Sequence, residues 1–201
     1  MANLKEIRNR ISSVSSTMQI TSAMKMVSAA KLKKAQDAIT AMRPYADKLT
    51  ELLQSLSATL DADSGSTYSD QRELKKVLIV PITSNRGLAG AFNSNIIKEV
   101  NKLTAETYSN QEVSYLAIGK KANDAFKKTN RVIANKSEVY DDLTFDNVAE
   151  IAELLMEKFV AGEFDKIEIV YNKFKNAATQ IVMTEQFLPI VPIEGEVNNN
   201  A

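Results

Sequence analysis

The chain has 201 residues, 44% of them hydrophobic, and 25 basic side chains balance 25 acidic ones, as suits one or two folded domains rather than a disordered or fibrous chain. Cysteine and histidine are both absent, so disulfides, thiolate nucleophiles, Cys- or His-ligated zinc and the commonest general base are excluded. No stretch approaches the roughly 18 consecutive apolar residues of a membrane span and the N-terminus lacks an apolar signal segment, so a cytosolic or membrane-peripheral chain is expected.

The neutrality conceals an asymmetry. Residues 1–60 hold nine basic and four acidic side chains, a net +5, which leaves 16 basic and 21 acidic, a net −5, for residues 61–201. With heptad position a at Leu4, the basic segment reads Leu4, Ile7, Ile11, Val14, Met18, Thr21, Lys25, Ser28, Leu32, Ala35, Ile39, Met42, Ala46, Leu49, Leu53, Leu56 and Leu60 at its a and d positions. All but Thr21, Lys25 and Ser28 are apolar. A stripe this narrow and this long predicts a coiled-coil seam, not a helix lying on a globular core. Asn3 is placed to cap the first turn, with Glu6 completing a capping-box pattern. Pro44 falls at the outermost f position, where water can take the carbonyl it orphans, so a bend is expected and not a break. No other stretch of the chain is long enough to cover the seam, so its partner is expected outside these residues.

Where the seam fails, Ile20, Met24 and Val27 form a stripe rotated to its flank, and residues 23–30 present small or flexible apolar groups on most sides. Two readings stand: a local stutter repacked by the partner helix, or a second protein surrounding the rod here. Arg8, Arg10, Lys25, Lys31, Lys33 and Lys34 raise nucleic acid as a partner. The apolar seam runs through these charges instead of following them and no aromatic cluster accompanies them, so a solvated face or an acidic protein partner is favoured.

Residues 61–70 are a polar linker without periodicity. Val77–Val80 and Ile82 then form a near-continuous apolar run, as expected of a strand covered on both faces. A loop, Ser84–Asn93, leads to a helix with Ile96, Val100 and Leu103 on one face. Tyr115–Ile118 reads as strand, Lys120–Lys128 as a short helix and Val132–Ala134 as a weak strand. Asp146 or Asn147 is expected to cap a helix with Val148, Ile151, Leu155 and Phe159 inward and Gly162 as its stop. Ile167–Tyr171 is a further strand, with one or two more at Ile181–Met183 and Phe187–Ile193. The fold class predicted is α/β: a long N-terminal coiled-coil helix followed by an open, Rossmann-like α/β domain with a mostly parallel sheet. The expected domains are a shaft helix at 1–60, a linker at 61–72, an α/β domain at 73–193 and a polar tail at 194–201.

Open parallel sheets bind ligands at the carboxyl ends of their strands, so Ser84–Asn93 is where chemistry belongs. Gly87, Gly90 and Arg86 suggest a phosphate cradle, but their spacing matches neither G-x-G-x-x-G nor G-x-x-x-x-G-K-[ST], and a tight turn with positive φ is favoured. Gly119-Lys120-Lys121 lacks an upstream glycine. Asp141 and Asp142 are adjacent and point to opposite sides of an extended segment, a poor catalytic pair. No catalytic, cofactor-binding or metal-binding set is expected.

Asn3–Ala38, NLKEIRNRISSVSSTMQITSAMKMVSAAKLKKAQDA, resembles the N-terminal signature of the gamma subunits of rotary ATP synthases. SNRGLAGAFNSN at 84–95, IGKKANDAFKK at 118–128, YNKF at 171–174 and FLPI at 187–190 follow in that family's order. The resemblance implies a non-catalytic central stalk: a long helix inside a ring of alpha and beta subunits, and an α/β foot meeting the epsilon subunit and the membrane rotor ring (c subunits). Proton flow would then be coupled to ATP synthesis or hydrolysis by rotation, with catalysis in the beta subunits, no cofactor on this chain and no nucleic-acid partner. It places Arg8, Arg10, Ile20, Met24, Lys25, Met26, Val27, Lys31 and Arg86 as partner contacts. It also implies a long C-terminal helix as the seam's partner, whereas the sequence stops at Asn198, Asn199, Asn200 and Ala201, so a shortened form of the family is expected. A location on the cytoplasmic face of a bacterial plasma membrane follows from the same resemblance. The alternatives are a coiled-coil scaffold or adaptor presenting an α/β binding module, and a nucleotide-binding enzyme using Ser84–Asn93.

Overall fold

In a computed structural model of the chain, residues 3–59, 67–176 and 178–191 are described. Leu60, linker residues 61–66 and residues 192–201, with the end of the expected last strand and the polar tail, lie outside them. The chain divides into two compact units, residues 1–53 and 54–201.

The first unit is helical. Helix α1 runs unbroken from Leu4 to Thr59, 56 residues with Pro44 inside it, a rise of about 85 Å at 1.5 Å per residue. Asn3 opens it as expected: its Oδ1 accepts from the Lys5 N–H at 3.3 Å and its carbonyl from the Ile7 N–H at 3.1 Å. The hydroxyls of Thr17, Thr21 and Thr50 turn back onto the carbonyls of Ser13, Met18 and Ala46 at 2.9, 3.0 and 3.0 Å. At Thr21, one of the breaks in the seam, the polar group is therefore satisfied within the helix and demands nothing from a neighbour.

The second unit holds strands β1 (Lys76–Pro81), β2 (Glu112–Ala117), β3 (Val132–Asn135), β4 (Lys166–Asn176) and β5 (Thr179–Leu188) and helices α2 (Phe92–Lys102), α3 (Lys120–Phe126) and α4 (Phe145–Val160). The sheet order is β3-β2-β1-β4-β5, parallel except for the antiparallel β4/β5 hairpin. This is the expected open α/β sandwich with a mostly parallel sheet. The chain steps outward from β1 to β3 through α2 and α3, then returns past β1 to β4 through α4. Crossovers of one hand running in opposite directions put their helices on opposite faces. Alternation along β1 feeds both: Val77 and Ile79 pack with Ile96, Val100 and Phe126, and Leu78 and Val80 with Ile151, Leu155 and Phe159.

Two expectations need correction. Helix α4 is capped by neither Asp146 nor Asn147: Thr144 is the N-cap, its Oγ1 accepting from the Asn147 N–H at 3.3 Å. Val148 is 45% exposed while Ile151 is 6% exposed, so burial of the inward stripe starts one turn later than periodicity suggests. Of the one or two further strands expected, the structure has one, because Glu185 and Gln186 between the two stretches pair with Ile169 and Glu168 of β4. The stop at Gly162 is as expected: with φ +72°, its N–H meets the Phe159 carbonyl and the Glu163 N–H meets that of Lys158, both at 3.0 Å, a Schellman closure.

Candidate functional site

Helix α1 wears its apolar residues on the outside. Leu4, Ile11, Val14 and Met18 are 64–69% exposed, and no residue from 3 to 53 is buried. Of the predicted partner contacts, Arg8, Arg10, Ile20, Met24, Lys25, Met26, Val27 and Lys31 are all exposed on this helix. At 100° per residue, Ile20, Met24, Val27 and Lys31 share one flank, Met26 lies on the opposite side from Met24, and Lys25 sits in the seam. Arg8 and Arg10 occupy e and g, either side of the seam, where coiled coils place the charges that select a partner. Tyr45 and Leu52, 64% and 49% exposed, belong to neither a nor d and were not singled out by the heptad count.

Arg86 belongs to the second unit, in the loop that follows β1, and is exposed. The polar groups of this loop bind one another. The Ser84 N–H donates to Asn93 Oδ1 at 2.9 Å, Ser84 Oγ–H donates to the Arg86 carbonyl at 2.7 Å, and Asn93 Nδ2–H donates to Ser84 Oγ at 2.9 Å. Asn85 reaches across the strand ends: its Nδ2 donates to the Ser137 carbonyl and its Oδ1 accepts from the Lys120 N–H, both at 2.9 Å. Asn172 of β4 donates to the Phe92 carbonyl at 2.9 Å, tying β4 to the start of α2 where the sheet changes its winding direction. In doubly wound folds this is the ligand crevice. Here the Ser84 N–H and the carboxamides of Asn85 and Asn93 are engaged in holding the loop.

The two glycines of the loop do different work. Gly90 takes φ +55°, as a tight turn requires, but at the other bend it is Leu88 that adopts φ +58°, with its side chain fully in solvent. Gly119 matters more than its motif suggested. It has φ +103°, and an added Cβ would stand 2.1 Å from the Thr83 carbonyl oxygen. Thr83 is buried, donating its N–H to the Ile118 carbonyl and accepting the Ala122 N–H on Oγ1, both at 2.8 Å. The ends of β1 and β2 and the start of α3 are thus locked together by one threonine that only a glycine lets close.

At the other end of the sheet Tyr108, Lys166 and Glu168 form an ionisable cluster. Burial pushes the Tyr108 hydroxyl up to about 12, with Glu168 beside it adding to the rise. Burial works against the charge of Lys166, but its bond to Glu168 Oε1 at 2.8 Å and the nearby Tyr108 outweigh that and hold its pKa above 10.5. Glu168 Oε2 is buried and has no hydrogen-bond partner among the described residues. Lys166 also stands over the Tyr108 ring, 5.6 Å from its centroid. The cluster is packed inside the fold, which makes it a stability element.

A family model described as ATP synthase matches residues 3–201. The chain is 72% identical over 197 residues to the ATP synthase gamma chain of Flavobacterium psychrophilum and 68% identical over 201 residues to that of Flavobacterium johnsoniae. These matches cover 98% and 100% of this chain and 68% and 70% of the two relatives, so the chain spans about two thirds of their length. Among solved structures, a chain of the central stalk and c-ring of Tetrahymena thermophila mitochondrial ATP synthase aligns with TM-score 0.63 and 27% identity, over 85% of this chain and 72% of that one. A chain of the Euglena gracilis mitochondrial ATP synthase rotor, 24% identical, shares the fold with TM-score 0.61 over 93% of this chain and 62% of its own. An exposed heptad seam, an α/β unit of this topology and relatives at this identity agree: the chain belongs to the ATP synthase gamma chain family.

Proposed function

We propose that this chain is the non-catalytic central stalk of a rotary, proton-translocating ATP synthase, transmitting rotation between a membrane rotor ring and a catalytic ring of alpha and beta subunits. The observation that carries this is the seam of α1, apolar at fourteen of its seventeen a and d positions and exposed at each of them from Leu4 to Leu53. Apolar surface of that extent is stable in water only when covered. The cover proposed is a returning long helix of the gamma chain along the seam and the alpha and beta subunits around residues 20–31. Residues 73–191 act as the foot, meeting the epsilon subunit and the c subunits at the cytoplasmic face of a bacterial plasma membrane. The related central-stalk structure and the bacterial gamma-chain relatives support that reading. Nucleotide chemistry is assigned to the beta subunits: the glycine spacing of Ser84–Asn93 matches neither phosphate-loop pattern, and the Ser84 and Asn93 side chains bond within the loop.

Met24, 64% exposed on the flank of the seam, offers the test. A neutral thioether slides past successive carboxylates on a surrounding ring, whereas a cation pairs with one at a time, adding about 1 kcal/mol to selected rotary angles if exposed. In the assembled complex, with the gamma chain at its relatives' length, Met24→Lys is expected to leave assembly intact but lower the ratio of ATP-driven proton pumping to hydrolysis. Met24→Leu is expected to leave it unchanged. An unaltered ratio in the lysine variant would remove the argument that a ring grips this stretch.

A further inference from the structure

The start of α4 carries an apolar patch that neither the fold nor the reading above uses. Tyr140, Leu143, Phe145 and Val148 are 40%, 67%, 85% and 45% exposed within nine residues. Two of them have a local account: Leu143 at N′ and Val148 at N4 are placed for a hydrophobic staple across the Thr144 cap. Phe145 has none. It is the first residue of the helix, with Val148 one turn on from it, so that three exposed apolar side chains are grouped about the start of α4. Aromatic rings presented this way are the usual anchors of protein interfaces, and scattered single exposures do not group like this.

The surroundings say what kind of partner fits. From 137 to 157 the chain has seven acidic residues, Glu138, Asp141, Asp142, Asp146, Glu150, Glu153 and Glu157, and no lysine or arginine. None of the seven forms an ion pair among the described residues. Asp146, Glu150, Glu153 and Glu157 recur at helical spacing and line one side of α4, all exposed. An anionic membrane surface is repelled by such a rim. We propose that this patch docks a basic segment of another protein subunit, one that inserts an apolar side chain beside Phe145 and sets lysines or arginines against the acidic rim. The proposal rests on the chain working inside the multisubunit assembly, and it assigns the outer face of α4 to a neighbour in that assembly. A second copy of this chain also offers a basic, apolar helix in α1, but the seam of that helix is already given a cover above.

The test is site-specific crosslinking in the assembled complex. Phe145 is replaced by the photo-crosslinker p-benzoylphenylalanine, a substitution at an exposed position that leaves the core untouched, and adducts are sequenced after irradiation. The expected result is an adduct to a segment of a different subunit that contains lysine or arginine, its yield falling about fivefold in the double variant Asp142→Lys, Asp146→Lys and falling likewise on raising the salt. An adduct to lipid, to another gamma chain or to an acidic segment would overturn the proposal, as would the absence of any adduct in a complex that co-purifies and pumps. If the chain co-purifies with no ATP synthase subunit, the stalk reading falls together with this one, and that outcome is distinct from a pumping complex without an adduct.

Discussion

The two units of this chain use apolar side chains in opposite ways. In the sheet, β1 sinks Val77, Leu78, Ile79 and Val80 to 1% exposure or less, sharing them between two helical layers, while Ile11, Val14 and Met18 of α1 stand 64–68% exposed. Composition does not distinguish the two stretches. Geometry does: a strand covered on both faces completes a core inside its own unit, whereas a heptad stripe on a single rod is half of an interface. Stability should therefore be locally owned in residues 73–191 and borrowed from a partner in α1.

The contrast breaks most severely at Gly119. Any side chain there meets the Thr83 carbonyl at 2.1 Å, on backbone that has little room to move, and must also adopt φ +103°. Gly119→Ala is expected to cost more than about 3 kcal/mol, or to prevent the α/β unit from folding. The helical circular dichroism of α1 contains no such constraint and should persist in part. A sheet-dependent urea transition present in the wild type and lost in the variant, with residual helical signal left in both, would establish that the α/β unit owns its stability.

Next in size is a matched pair of truncations. Phe159 is fully buried against β1 and lies under the Arg72 guanidinium, which stands 4.6 Å from its ring and bonds its carbonyl at 2.7 Å. Phe159→Ala should cost about 3–5 kcal/mol. Ile11→Ala, by contrast, should change the stability of the isolated chain by no more than about 0.5 kcal/mol, because its side chain is already in water. With the seam covered in the assembled complex the same substitution should cost about 2 kcal/mol or more. A large effect of Ile11→Ala in a monomer, read by urea denaturation, would mean that the seam is covered without help.

Lys166 tests how the sheet unit handles charge. Lys166→Met leaves Glu168, whose side chain is 8% exposed, without its cation, and should cost about 2 kcal/mol at neutral pH, the lysine being partly solvated. The folded chain raises the pKa of Lys166 above 10.5 and that of Tyr108 from 10.0 to about 12. Both groups therefore favour folding fully below their ordinary values, and both contributions fade as pH climbs through the folded ones. Above about pH 10 the wild type should lose stability and the gap to Lys166→Met should narrow. A gap as wide at pH 11 as at pH 7 in urea melts would show that the pair is not what holds Glu168.

The same division explains what could be read from the sequence. The seam of α1 was legible because heptad spacing is a property of one segment, and so were the strand at 76–81 and the Ile96, Val100 face of α2. Val148 was misjudged although its azimuth was right, since periodicity reports which way a residue faces and not whether anything lies above it. The strand Thr179–Leu188 looked interrupted because Thr184, Glu185 and Gln186 are polar, and only pairing with β4 shows the interruption to be part of the ladder. Leu88 at φ +58° and the closure of Thr83 on Gly119 depend on contacts between loops, which local sequence does not encode. The residues proposed as partner contacts on α1 are exposed; which subunit each would touch is a property of the assembly and not of this segment.

The smallest expected effect lies at the break in the seam. Thr21 occupies a d position, where an apolar side chain is due, and its hydroxyl bonds back to the Met18 carbonyl at 3.0 Å. Thr21→Val keeps the shape, removes that local bond and fills one of the three gaps in the apolar stripe. In the isolated chain the two changes should nearly cancel, within about 0.5 kcal/mol, because the valine gains nothing while the seam is in water and Met18 keeps its helical hydrogen bonding. Once a partner helix covers the seam, the added methyl is buried and the variant should be more stable by about 0.8 kcal/mol, one methylene's worth of transfer. That gain would also favour one packing of α1 at the stretch where Ile20, Met24 and Val27 turn the apolar surface toward its flank. If the break exists so that the stalk can repack as it turns, Thr21→Val should slow rotation-coupled ATP hydrolysis slightly while raising the melting temperature of the complex. If both quantities stay at wild-type values, the d position at Thr21 is not covered by a helix at all, and the heptad register must end before it.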